Sequence, residues 1–393
     1  MKQNTTYKQT ELGLIPEDWE VKKLGKVGEI DKKSLNSNTD KEYEFDYISL
    51  SDVDSDQFSI KTSKQKFKNA PSRARRIVKK GDVLLSTVRP NLEGFTIIRD
   101  EVKDLIASTG FAVITSKNEL HNEYLFNFLF SNIIKRQFHK LLVGSNYPAI
   151  NSSDVENLKI PLPPLQEQKK IADCLSTCDS AIEKQSQLIN VLTQRKKALM
   201  QQLLTGKKRL PGFEGKWKEV KLGEICEIKK GSQINKIELS SNLGFPVING
   251  GIEPSGYYDD WNVAENTITI SEGGNSCGFI NFIKEKFWSG GHCYTLQNLK
   301  ININKNFLFY FLKNSENQIM KLRVGSGLPN IQQKDIKNFE ILLPKIEEQT
   351  AIAEILATAD RELTLQKEKL VQLQTQKKGL MQVLLTGKKR LIN

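Results

Sequence analysis

The sequence predicts an α+β chain: two mixed α/β domains separated by two long antiparallel coiled-coil helices, arranged as a pseudo-twofold, circular repeat. Three observations carry that prediction. Residues 143–210 and 324–391 align without a gap at an offset of 181, with about half of the positions identical. Within each copy, apolar residues recur at alternating four- and three-residue steps for more than four heptads. Each copy also follows a region of short β-like runs and turns, and those two regions share almost no sequence.

At 393 residues the chain is long enough for two or three domains, each with an ordinary core. Hydrophobic residues at 38% and charged residues at 26% place it among globular chains rather than disordered ones. The formal charge of +12 points to a polyanionic partner, nucleic acid or an acidic membrane surface, with a merely basic soluble protein as the alternative. The N-terminus lacks the apolar stretch of a signal peptide, and no run approaches 18 uncharged apolar residues. Five cysteines, an odd and sparse count, suit a reducing compartment. The expectation is a cytoplasmic protein with no membrane partner.

Taken in order, the first domain occupies residues 1–160 and opens its frame at Trp19-Glu20-Val21-Lys22-Lys23-Leu24-Gly25. Strand-like runs follow at Tyr47-Ile48-Ser49-Leu50, Val83 to Val88 and Phe111 to Ile114, then an aromatic-rich helix at Tyr124 to Leu129 that reads as core. The first long helix lies in residues 161–210. Pro161, Pro163 and Pro164 forbid a helix before Leu165, and Glu167 suits the positive end of the helix dipole. Its seam is Ile171, Leu175, Cys178, Ile182, Gln185, Ile189, Leu192, Lys196, Leu199 and Leu203. At ~1.5 Å per residue that seam is roughly 50 Å long. Gly206 is placed for the left-handed position past the helix end.

The second domain, residues 211–341, reopens the frame at Trp217-Lys218-Glu219-Val220-Lys221-Leu222-Gly223. Its strand-like runs are Phe245 to Ile248, Thr267 to Ile270 and Gly278 to Ile283, followed by an aromatic helix at Phe307 to Leu312. Residues 342–393 hold the second long helix, with the seam Ile352, Leu356, Ala359, Leu363, Gln366, Leu370, Leu373, Lys377, Leu380 and Leu384, closing at Gly387. Gln and Lys at matching seam places fit a device that fixes register. An intermolecular coiled coil is the alternative to pairing within the chain. The first copy continues through Pro211 into Trp217, whereas the continuation of the second corresponds to the stretch before Trp19. The chain reads as a circle cut open, with its C-terminus beside the first domain.

Candidate contact residues lie in the divergent regions and the connecting loops. Residues 64–80 carry Lys64, Lys66, Lys68, Arg73, Arg75, Arg76, Lys79 and Lys80 with no acidic residue among them, a candidate phosphate-binding stretch or else a solvated loop face. After the Val83 strand come Ser86, Thr87, Arg89 and Asn91. Arg forks onto guanine and Asn onto adenine, so this strand end is a candidate base reader, with a local salt bridge as the alternative. Ser271, Gly273, Gly274, Asn275 and Ser276 follow the matching strand of the second domain; an ordinary hairpin turn explains the same letters. Ser145, Asn146 and Tyr147, and Ser326 in the second copy, sit in the loops that join each domain to its helix, where a hinge is an equal explanation.

No catalytic constellation accompanies these features. The sequence has no Walker-type loop, no amino-methyltransferase motif, no glycine fingerprint for a nucleotide cofactor and no zinc spacing. Cys174 and Cys178 lie one helical turn apart and read as core. A recognition protein is expected, with no catalytic or metal site. The rivals are a DNA-binding regulator that acts alone and an enzyme with an unrecognised site.

The doubled run Pro163-Pro164-Leu165-x-Glu167-Gln168-x-x-Ile171-Ala172 and Pro344-x-Ile346-x-Glu348-Gln349-x-x-Ile352-Ala353 resembles the start of the shared helices of specificity subunits of type I restriction-modification enzymes. The twice-used Leu-Leu-Thr-Gly-Lys-Lys-Arg-Leu resembles their ends, and the Trp19 and Trp217 segments resemble the starts of their two target-recognition domains. The resemblance covers essentially the whole chain; Lys345 replaces Pro164 in the second copy. It implies that each target-recognition domain reads one half of a split site in double-stranded DNA. It further implies that the helices fix the spacer and dock two methyltransferase subunits, with restriction subunits joining through those. S-adenosylmethionine, ATP and Mg would then be bound by partner subunits, with no cofactor in this chain.

Overall fold

The structure is a computed structural model that describes residues 6–54, 59–142, 148–325, 327 and 329–391. It divides into two compact units, Met1–Gln187 with Glu368–Asn393, and Leu188–Lys367. Each is a mixed α+β body that carries one part of both long helices, Leu165–Leu203 and Ile346–Leu384.

The first unit contains two four-stranded sheets. One runs Phe95–Ile97, Val83–Ser86, Phe111–Ser116, Gly28–Ile30, antiparallel throughout. The other runs Ser63–Lys66, Glu44–Ile48, Leu105–Ser108, Ala74–Val78, with a parallel pair at its centre. Val83–Ser86 is buried along its length, as a continuous apolar run bounded by turns requires. The aromatic helix Asn122–Phe128 buries Tyr124, Phe126 and Phe128. These side chains share one core with Trp19, with Ile171 and Leu175 of the first long helix, and with Leu384 and Leu385 at the end of the second. The C-terminal segment thus completes the domain that begins at Trp19.

The second unit repeats this plan in other residues. Its main sheet runs Glu227–Lys230, Cys293–Gln297, Thr267–Ser271, Ile280–Ile283, all antiparallel. Asn304 caps the aromatic helix Lys305–Asn314 by accepting the Phe307 N–H at 3.0 Å. Phe307, Leu308 and Leu312 share a core with Leu203, Ile352 and Leu356. In each unit a two-stranded ladder ties the frame strand to the approach to a long helix: Glu20–Lys23 with Lys159–Leu162, and Lys218–Lys221 with Glu340–Leu343.

Within each unit the two helices run antiparallel. Ile171, Leu175, Ile182, Leu192, Leu203, Ile352, Leu356, Leu363 and Leu384 are buried, while Ile189, Leu199, Leu370, Leu373 and Leu380 are half-buried. In each unit an ion pair between described residues crosses the seam, Asp179–Lys377 at 2.5 Å in the first and Asp360–Lys196 in the second. These four residues occupy matching places in the repeat. Burial pushes the Asp179 carboxyl above the ordinary carboxylate range, more than Lys377 lowers it. Such a pair specifies register more than it adds stability.

The Glu-Gln of the repeated motif builds a latch at each helix start. Gln168 donates to the Pro163 and Glu119 carbonyls (2.8 and 2.9 Å) and accepts the His121 N–H at 2.8 Å, fixing the entry to the aromatic helix. Gln349 does the same with Pro344, Asn302 and Asn304. Buried Glu167 accepts from Trp19 Nε1 at 3.1 Å and from Arg390 Nε at 2.7 Å, and Arg390 also forks onto Asp18. Arg209 forks onto Glu348 in the second unit, at 2.7 and 2.8 Å.

Gly206 and Gly387 both take the left-handed conformation, φ +68°, but their surroundings differ. A Cβ at Gly387 would lie 2.3 Å from Pro16, whereas one at Gly206 would rest 3.7 Å from the Trp217 ring. Gly206→Ala should therefore cost only the backbone penalty of about 1 kcal/mol, and Gly387→Ala distinctly more. Urea unfolding of both variants checks this; equal losses would mean that the Pro16 contact yields freely.

Candidate nucleic-acid interface

Both central strands end in a loop that is held by the same hydrogen bonds. In the first unit Arg89 N–H donates to the Pro148 carbonyl at 2.7 Å, and Ile150 N–H donates to Thr87 at 2.9 Å. In the second, Gly274 N–H donates to Pro329 at 3.0 Å and Ile331 N–H to Glu272 at 2.8 Å. Val88–Ala149 and Gly273–Asn330 form the intervening bridges. Thr87, Val88 and Arg89 thus take the places of Glu272, Gly273 and Gly274 with no sequence in common. The structure brings each strand-end loop against the chain that leads to its long helix, at residues 148–150 in the first unit and 329–331 in the second. Ser145, Asn146, Tyr147 and Ser326 lie outside the described residues.

The strand-end residues divide into builders and presenters. Ser86 and Thr87 are buried and donate inward, to the Val88 carbonyl at 2.7 Å and the Gly110 carbonyl at 2.9 Å. Arg89 and Asn91 are exposed. Arg89 and Glu93 both hold left-handed backbone, φ +49° and +58°, which is strained for side-chain-bearing residues and concentrates at working loops. Leu92 projects between them, 67% exposed. In the second loop Ser271 and Ser276 both donate to the Gly250 carbonyl at 2.6 Å, which leaves Asn275 as the exposed side chain.

The basic stretch 64–80 is less free than its letters suggest. Lys66 pairs with Glu44 (3.0 Å), Lys68 with Glu42 (2.6 Å) and Lys80 with Glu101 (3.1 Å). Arg76 pairs with the half-buried Asp31 at 2.9 Å, and Arg75 stacks on Phe67. The acids come from elsewhere in the chain. Lys64, Arg73 and Lys79 are exposed and form no ion pair with a described residue.

Two groupings escaped the sequence reading. In the second unit Glu272 is buried and accepts from Lys230 Nζ at 2.6 Å and the Tyr294 hydroxyl at 2.9 Å, with His292 Nδ1 at 3.4 Å. Burial, then the bond to Glu272, drives the Tyr294 hydroxyl pKa upward. The carboxylate thereby steadies two exposed side chains, Lys230 and His292, next to the Asn275 loop. The signal was one acidic residue in an otherwise neutral turn. In the first unit a groove of about 1530 Å³ runs between the Arg89 loop, the helix Asn132–Leu142 and the last turns of the second long helix. Its lining carries Lys135, Arg136, Lys378 and Lys388, which are scattered in sequence and gave no local signal.

Comparison with known proteins agrees with this doubled arrangement. The family model for the type I restriction modification DNA specificity domain matches residues 16–194 and again 214–375. The putative type I restriction enzyme MjaX specificity subunit of Methanocaldococcus jannaschii is 28% identical, over 98% of this chain and 96% of that one. The MjaVIII specificity subunit of the same organism is 29% identical, over 96% and 95%. A chain solved to show complex assembly and conformational transition of the type I R-M system superposes with a TM-score of 0.66 at 25% identity, covering 95% of this chain and 99% of that one. With two matched domains, paired long helices and a strand-end loop framed alike in each half, this chain belongs to the type I restriction-modification DNA specificity family and is a sequence-specific DNA-binding specificity subunit.

Proposed function

We propose that each head reads one half of an asymmetric bipartite site in duplex DNA. The two long helices set the spacer between the halves and dock two methyltransferase subunits, through which restriction subunits join. The observation that carries this reading is the pair of strand-end loops, held by one hydrogen-bond frame but filled with unlike residues. Arg89 and Asn91 would read the first half-site, and Asn275 with Lys230 and His292 the second. Lys64, Arg73 and Lys79 supply phosphate contacts outside the frame. Docking of the methyltransferase subunits is supported by aliphatic side chains left exposed on the helices, Leu188, Val191 and Leu365 in the second unit and Val371 in the first. The chain contributes recognition and no catalytic residue. S-adenosylmethionine belongs to the modification subunits and ATP with Mg²⁺ to the restriction subunits. A cytoplasmic setting completes the reading; it fits five cysteines that form no disulfide.

Long-read methylation mapping tests it, in a host that expresses this chain with its modification subunit. The wild type should methylate a split, asymmetric motif. Arg89→Ala should relax one position of one half only, at a cost of about 1–3 kcal/mol in discrimination. Asn275→Ala should relax the other half only. Variants that alter both halves together, or neither, would overturn the assignment of the loops.

A further inference from the structure

The groove of the first unit carries an inference about the helices themselves. Six cations face it: Arg89 from the loop, Lys135 and Arg136 from the helix Asn132–Leu142, and Lys377, Lys378 and Lys388 from the second long helix and its tail. Among the described residues of its lining, Glu93 is the one acidic residue. Lys135 pairs with Glu93 and Lys377 with Asp179. Arg89, Arg136, Lys378 and Lys388 are exposed and form no ion pair with a described residue. A cleft lined by one sign of charge focuses its field on a partner of the opposite sign.

We infer that this groove takes the sugar-phosphate backbone of the first half-site, so that the long helix grips DNA as well as spacing the heads. This rests on the DNA-reading role proposed above. Two observations favour DNA over an acidic protein surface. The groove is continuous with the loop that presents Arg89 and Leu92, so a duplex read by that loop has its backbone beside the helix. Moreover, Lys378 and Lys388 recur in the other half of the repeat as Lys197 and Lys207, both exposed. Contacts to phosphate carry no sequence information. They therefore belong in the shared frame, while base contacts belong in the part that diverges.

The test uses the chain assembled with its modification subunit. Arg136→Gln, Lys378→Gln and Lys388→Gln are combined, and binding to the cognate duplex is measured across a salt series. The expected result is affinity lower by at least about tenfold near physiological salt, and a plot of log affinity against log salt shallower by about two to three. The methylated motif should stay the same. Lys378→Arg with Lys388→Arg should keep the wild-type slope. An unchanged slope in the triple variant overturns the inference; if assembly with the modification subunit weakens instead, the groove seats that subunit. A wild-type complex that binds its motif no better than random duplex would instead overturn the DNA-reading role itself.

Discussion

Removing one heptad from each long helix, residues 182–188 together with 363–369, should shorten the spacer of the methylated motif and leave both half-sites intact. Seven residues of helix are about 10 Å, or about three base pairs at ~3.4 Å each, so a loss of two to three base pairs is expected. A heptad drifts only ~20° around the helix, so the seam continues in phase after the cut. The two crossing ion pairs lie outside the deleted stretches, and each is made within its own unit, so both survive. They also explain why the deletion has to be matched. Cutting one helix alone would force Asp179–Lys377 or Asp360–Lys196 out of register, leaving a charge at the seam without its partner. Motif mapping of the matched deletion decides the matter; an unchanged spacer would sink the ruler, whatever happens to activity.

The helices were the most legible part of the chain because their signal is local and periodic. The seam, the proline entry and the glycine exit can all be read from residues a few places apart, and the duplicated copies reinforce one another. The heads were legible only in outline. Continuous apolar runs such as Val83 to Leu85 mark buried strands, but which strands pair, and that one pair in each unit is parallel, depends on long-range packing. The candidate site was harder still. The letters of residues 64–80 show eight cations and conceal the acids that fold against them, Glu42, Glu44, Glu101 and Asp31. Ser86 and Ser271 look like contact residues in a loop, but their hydroxyls bond inward and shape it. Conversely, Arg136 and Lys388 are unremarkable in sequence and meet only because the end of the second long helix folds back on the first domain. A charged surface is a tertiary property, and composition reveals its sign without its place.

The latch at Glu167 gives the other large effect. Arg390→Ala should destabilise the first unit by about 3 kcal/mol or more and leave the second unit nearly untouched. The Glu167 carboxylate is 2% exposed and loses a bidentate partner, keeping the Trp19 indole N–H and a long bond, 3.4 Å, from the Leu391 backbone N–H. Removing one member of a buried ion pair costs more than the pair ever contributed, because the remaining charge stays in a medium that solvates it poorly. Against a whole-domain stability of about 5–15 kcal/mol, that loss is large. Arg209→Ala makes the reciprocal change at Glu348. It should act on the second unit, and more mildly, because Arg209 is more exposed than Arg390. Hydrogen exchange resolved by peptide separates the two cases. Arg390→Ala should strip protection from the Glu20–Lys23 and Lys159–Leu162 ladder, and Arg209→Ala from Lys218–Lys221 and Glu340–Leu343. Loss of protection in both ladders from either variant would mean that the chain unfolds as one body. The cut circle would then be closed by something more than its latch.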